Sequence, residues 1–284
     1  MVIPLVVLAL ALAAPPAASP GGGLPIDLSW SRDPVWDDGL AEVARYDAHR
    51  RVYGVDRGFE TTLITVKEDF DSRLAVKADP PLEGRGLVTV LKLNIISRIQ
   101  TENYPYNYLT SIFVRRDDPR RLVKMAGSSQ EWCGTTFKEV VTWDGPTRLI
   151  FHSYFDGQAD GSHPMPLDGG ALIDGQLLLV MRAASLEKGA RHDVPLYDSL
   201  ITNSVKAPVA SPVSIVLAGD VEIPTPAGRF QTRRIDVLPA SGSGQPLMSF
   251  WTEKTGRRAL VKFEAADGRS LLLREISRRD YWSR

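Results

Sequence analysis

Two short runs in the middle of the chain carry residue types that alternating β strands do not need in order to fold. The first holds Tyr104, Tyr106, Asn107 and Tyr108; the second holds Gln130, Glu131, Trp132 and Cys133, the sole cysteine of the 284 residues. Tyrosines at this spacing project from one face of a strand. There they form either an aromatic ladder packed across strands or, beside Asn107, Gln130 and Glu131, the mouth of a groove that grips an amphipathic or sugar-like molecule. The cysteine offers nucleophilic attack by a thiolate, with His152 as its base once the chain turns back at Asp144-Gly145 and Glu131 nearby. Against that, no flanking residue supplies the cationic or helix-terminal setting of a reactive thiolate, and a lone cysteine also packs as a small apolar side chain. The expectation is a ligand-binding surface drawn from both runs, with no catalytic residue.

Other chemistries find no support. His49, His152, His163 and His192 are the only histidines and none pairs at metal-ligand spacing, while His163 with Asp156, Asp160 and Asp168 reads as a solvated acidic loop. Gly21-Gly22-Gly23 precedes no lysine-bearing helix, and Gly-x-Ser-x-Gly is absent. No metal and no cofactor is expected. The chain carries 34 basic and 34 acidic residues, spread along its length to a formal net charge of +0. That leaves no basic footprint for nucleic acid or for anionic lipid head groups.

The first residues give an address. Met1 to Ala14 is an apolar run, followed by prolines, alanines and glycines suited to a signal-peptidase cut. A bilayer span needs about 20 apolar residues, so residues 1–20 are expected to be a secretory signal peptide. The lone Cys133 stands far from the position a lipid anchor requires and leaves no internal disulfide. A secreted, periplasmic protein without lipid or a transmembrane segment after processing is expected, stabilised by its core alone.

The elements that must position the two runs are strands. Residues 21–41 form an irregular arm whose Trp30 and Trp36 tuck against the body, and 42–284 form a single β-rich domain. Val, Ile, Thr and aromatic runs alternate with glycine turns at Asp56-Arg57-Gly58, Asp144-Gly145, Pro226-Ala227-Gly228, Thr255-Gly256 and Asp267-Gly268, the pattern of antiparallel hairpins. Leu87 to Ile99 is long enough to reach about 40 Å at roughly 3.3 Å per residue. Such a strand suits a large curved antiparallel sheet or half-barrel. Ile173, Leu177, Val180, Met181 and Ala184 repeat at helical spacing behind Asp168 as N-cap. One buried helix is therefore expected in the concave face, with Lys188 to Pro212 crossing back to the last strands.

The runs Tyr104-Pro105-Tyr106-Asn107-Tyr108-Leu109-Thr110-Ser111-Ile112-Phe113 and Ser128-Ser129-Gln130-Glu131-Trp132-Cys133-Gly134-Thr135-Thr136-Phe137, with Asn94, resemble the signature of an uncharacterised exported bacterial family. Its pattern reads Y-P-Y-x-x-M-T-S-x-F and S-x-Q-E-W-C-G-x-x-F, with Leu109 here at the methionine position. Members sometimes carry the label septum-formation inhibitor Maf. That label implies an S-x-S-P-R-R motif on an α/β fold, and this sequence has neither. The C-terminal half, around Ile223 to Thr232 and Phe250 to Glu253, is similar to periplasmic half-barrel domains of unknown function, shaped like lipoprotein carriers that cradle an acyl chain against a helix. The export signal, the long curved strand and the aromatic block together lead to the expectation of an exported, non-catalytic envelope protein binding a lipid-like, glycan or other amphipathic component. The alternatives are a thiol-dependent envelope enzyme using Cys133 and a structural scaffold without a ligand. Neither oligomeric state nor any partner protein follows from the sequence.

Overall fold

The computed structural model describes residues 23–241 and 244–282; the expected signal peptide lies outside them. Its strands are β1 (Ala41–Val52), β2 (Val55–Asp71), β3 (Val76–Lys77), β4 (Leu87–Gln100), β5 (Pro105–Arg115), β6 (Asp118–Glu131), β7 (Gly134–Val141) and β8 (Arg148–Ser153). They continue as β9 (Asp160–Pro164), β10 (Leu172–Ile173), β11 (Arg191–Tyr197), β12 (Ala210–Thr225), β13 (Gly228–Pro239), β14 (Met248–Glu253), β15 (Leu260–Ala265) and β16 (Ser270–Arg279). All belong to one 16-stranded, open, curved sheet, ordered β10-β11-β12-β13-β14-β15-β16-β1-β2-β4-β5-β6-β7-β8-β9 with β3 paired to β2. Every pairing is antiparallel except β10 with β11.

The expected mostly β half-barrel is thus the architecture, with two short helices. α1 (Leu28–Ser31) lies in the arm. α2 (Leu177–Ala183) is buried along its whole length. Its apolar side chains share one core with inward-facing residues of both halves of the sheet, among them Leu63, Leu93, Ile112, Val140, Ile215, Val237 and Phe250. The sheet therefore wraps the helix, and a segment apolar on every side needs just such a position. The helix begins later than its apolar spacing suggests: Leu172–Ile173 pair as β10, Asp174–Gln176 form a 3₁₀ turn, and Asp168 opens a separate turn. Lys188 to Pro212 likewise contains β11, whose Val194, Leu196 and Tyr197 join the core.

The first hairpin also differs from the sequence reading. Val52 pairs with Val55, so the turn is Tyr53-Gly54, both with positive φ, and Asp56-Arg57-Gly58 falls inside β2. A two-residue turn with left-handed φ at both positions matches the twist of its strands better than a turn at Gly58, four residues later. The expected long strand is β4, and it is covered on both faces where Val90 meets Phe70 and Phe113. Ile96 on the same outer face stays exposed.

The arm is tied to the helix by charge as well as by rings. Arg182 of α2 lies 4.9 Å from the Trp30 ring centre and 5.6 Å from that of Trp36. Its guanidinium also binds Glu42 of β1 through Nη1 to Oε1 at 2.7 Å and Nη2 to Oε2 at 3.1 Å. Arg116 and Lys67 hold Asp37 on the other side.

Candidate functional site

Alternation along β5 sends Tyr106 and Tyr108 to the concave face, in register with Ile99 and Ser97 of β4. Tyr104, just before the strand, is fixed by Thr101, whose Oγ1 donates to the Tyr104 carbonyl at 2.7 Å. Glu131 pairs with Gly134, which makes Trp132-Cys133 the two-residue tip of the β6–β7 hairpin. The tip carries Trp132 over Tyr104, stacked at 5.8 Å and 25°. The rings continue inward, Tyr104 to Tyr106 at 5.7 Å and Tyr106 to Tyr108 at 6.3 Å. Trp132 is 78% exposed and Tyr106 is 1% exposed, so the stack descends from solvent into the interior.

More rings stand at the same rim. Tyr53 places its hydroxyl against that of Tyr106, and Tyr154 lies so close over Gly134 that a Cβ there would sit 2.4 Å from its Cδ1. Burial, then contacts with the Tyr53 and Glu131 side chains, push the Tyr106 phenol far above its ordinary range. Cys133 is exposed, and its Sγ lies 2.9 Å from the Tyr104 hydroxyl; that contact raises the Tyr104 phenol.

At the inner end Arg50 of β1 caps Tyr108, its guanidinium carbon 5.0 Å from the ring centre. Beside Arg50 lies a cavity of about 80 Å³ between α2 and the sheet, walled by Phe59, Ile95, Leu178, Ile201, Phe263 and Leu271. The Asp174–Arg269 ion pair, 2.8 Å at both contacts, borders it as well. Arg269 has its carboxylates; Arg50 forms no ion pair among the described residues. Burial lowers its proton affinity.

Of the sequence candidates, Tyr104, Tyr106, Tyr108, Trp132 and Cys133 meet in this stack. Glu131 stands beside it and accepts from Asn203 Nδ2 at 2.9 Å. Asn107 and Gln130 do not join: both are exposed on the opposite face, where Asn107 Nδ2 reaches the Gln130 carbonyl at 3.5 Å. His152 is engaged elsewhere, with Asp160 at 3.3 Å and the Phe137 ring. Among the described residues no group of three His, Cys, Asp or Glu side chains is placed to hold a metal ion, and no helix is long and apolar enough to cross a membrane.

The sequence reading missed the floor next to the tyrosines. Ser129 of β6 and Thr136 and Lys138 of β7 face inward beside Tyr108. Lys138 is 5% exposed, and burial, with repulsion from Arg50, lowers its pKa to about 8. Polar residues at inward positions of an alternating strand were the available signal. A larger cleft of about 610 Å³ opens at the far ends of β5 and β6, against Phe70, Trp143, Arg115, Arg120 and Arg121. There Arg115 and Arg120 bind Asp117 and Asp118, while Arg121 is exposed.

Comparison with protein-family models, curated proteins and solved structures gives no match.

Proposed function

We propose that this chain is an exported, non-catalytic protein of the cell envelope that binds an amphipathic component, lipid-like in its apolar part, on the concave face of the half-barrel. One observation carries this reading: a continuous run of rings from exposed Trp132 through Tyr104, Tyr106 and Tyr108 ends at Arg50, which forms no direct ion pair among the described residues, beside an apolar cavity. Exposed Trp132 and half-buried Tyr104 offer ring faces to a chain or sugar, with Tyr106 and Tyr108 buried beneath them as support. A cation at the neck suits a negatively charged or strongly polar head. The cavity itself, about 80 Å³, is smaller than the roughly 300–1,000 Å³ of pockets that enclose a whole small molecule. It takes the end of a chain, with the remainder toward Tyr104 and Trp132 at the rim.

Thiol chemistry has less support. The polar neighbour of Cys133 is Tyr104, whose phenol holds its proton more tightly than usual, and His152 serves Asp160 instead. The test is mass spectrometry of small molecules extracted from protein isolated from the periplasm. A stoichiometric amphiphile that is lost in Trp132→Ala is expected. An empty protein that also fails to bind decanoate, decyl phosphate or decanol leaves only a scaffold.

A further inference from the structure

The segment between β11 and β12 crosses the floor beside the tyrosines as irregular chain, and the floor holds it by side chains. Lys138 Nζ donates to Leu200 O at 3.1 Å, Thr202 Oγ1 at 2.7 Å and Ser204 O at 2.6 Å. Thr136 Oγ1 donates to Asn203 O at 2.7 Å. The Val205 amide donates to Gln158 Oε1 at 2.8 Å. Residues 199–205 thus form a strap, and Ser199 and Ile201 from it also wall the apolar cavity.

The charges under the strap do not balance. A buried ammonium is ordinarily met by a carboxylate, yet Lys138 meets only uncharged oxygens. Arg50 acts on it as a second cation; it forms no direct ion pair among the described residues, and Asp174 and Asp267 reach it only at longer range. Between Tyr108 and Thr136 in the register stands Ser129, 1% exposed, whose hydroxyl has no partner among the described residues. An orphaned hydroxyl and a buried ammonium met by no carboxylate, with a second cation acting on it, describe the lining of an oxyanion site. The strap fills it with carbonyl and hydroxyl oxygens, acceptors of the same kind that a head group presents.

We propose that Lys138, Ser129, Thr136 and Arg50 form the head-group subsite for a carboxylate or phosphate, and that the strap at 199–205 occupies it until an anionic amphiphile displaces it. This rests on the amphipathic-ligand reading and deepens it. Lifting Ile201 joins the cavity to the floor and enlarges the space for the tail.

The test is titration of the full chain with decanoate, decyl phosphate and 1-decanol, followed by tyrosine and tryptophan fluorescence, with hydrogen exchange read at amides 201–205. One or both anions should bind at least about tenfold more tightly than decanol, the worth of hydrogen bonds to a charged group, and should speed strap exchange. The tighter of the two anions names the head. Lys138→Met should abolish the preference. Ser129→Ala, which removes a hydroxyl that bonds nothing in the free protein, should keep the fold and weaken the anion severalfold. Equal binding of all three probes with unchanged strap exchange overturns the subsite and leaves the amphipathic reading intact. Binding of none overturns that reading, and inorganic phosphate alone then decides the subsite. Faster strap exchange that is lost in Lys138→Met retains it; no change overturns it.

Discussion

Arg182 and Glu42 form a two-pronged ion pair, 2.7 and 3.1 Å long, with both side chains 4% exposed. The pair joins the enclosed helix to β1 while Trp30 and Trp36 cover the guanidinium. Removing Glu42 leaves the guanidinium only the carbonyls of Arg257 and Arg258, and removing Arg182 leaves the carboxylate only Arg257 at 3.7 Å. Glu42→Ala or Arg182→Met should each cost about 3–5 kcal/mol, and the double replacement Glu42→Leu with Arg182→Met should recover much of that loss. Urea unfolding of the three variants measures it.

The arm should loosen in acid. Hydrogen bonds from Arg116 and Lys67 hold Asp37 at about 2, and bonds from Ser29 and Arg258 hold Asp27 at about 2, against an ordinary 3.8. Both folded values lie below the unfolded one, so their stabilisation is complete above about pH 4 and is lost as pH falls toward 2. Both groups are partly exposed, so solvent screening keeps the effect modest. The emission of the arm tryptophans should shift to the red across that window, and Asp37→Asn should flatten part of the change.

Lys138 should act at the other end of the pH scale. Its folded pKa of about 8 lies below the ordinary 10.5, so between those values the unfolded chain binds more protons. Stability from this residue is therefore lowest below pH 8 and rises toward pH 10.5. Arg50 is the charged group that acts on it; the strap faces it with neutral oxygens. Wild type relative to Lys138→Met should gain stability from pH 7 to pH 10 in urea midpoints, whereas a flat difference means an ordinary lysine.

The two ends of the tyrosine stack should respond differently to truncation. Trp132 is 78% exposed, so Trp132→Ala should change stability by no more than about 0.5 kcal/mol while weakening amphiphile binding. Tyr106 is 1% exposed, so Tyr106→Ala should cost about 3–5 kcal/mol, as for other large aromatic cores. Unfolding and binding measured on the same samples separate these effects.

The sheet was legible because its signals are local. Gly145, Gly256 and Gly268 do take positive φ in their turns, and the uninterrupted inward face of Leu91, Leu93 and Ile95 matches the long β4. The rings at 104, 106 and 108 do share a face, as strand spacing requires. That same alternation puts Asn107 and Gln130 on the outer face, apart from the rings. The extent of α2 was less legible, because Leu172 and Ile173 are as apolar in a buried two-residue strand as in a helix. Arg50, Ser129 and Lys138 gain meaning only when β1, β6 and β7 come together, and a strap of serine, threonine and asparagine is indistinguishable from an ordinary surface loop until its partners are placed.

The strand order has a consequence for synthesis. β1 lies between β2 and β16, with Ala41 opposite Arg279 and His49 opposite Ser270, so the opening and closing strands adjoin mid-sheet. On the ribosome β2 to β9 can zip hairpin by hairpin, while one edge of β1 waits unpaired until β16 is made, exposed to wrong partners meanwhile. Fusing the two old ends and cutting between β9 and β10 would convert the path into a meander in which neighbours in space are neighbours along the chain. Such a permuted chain should refold faster than the natural one.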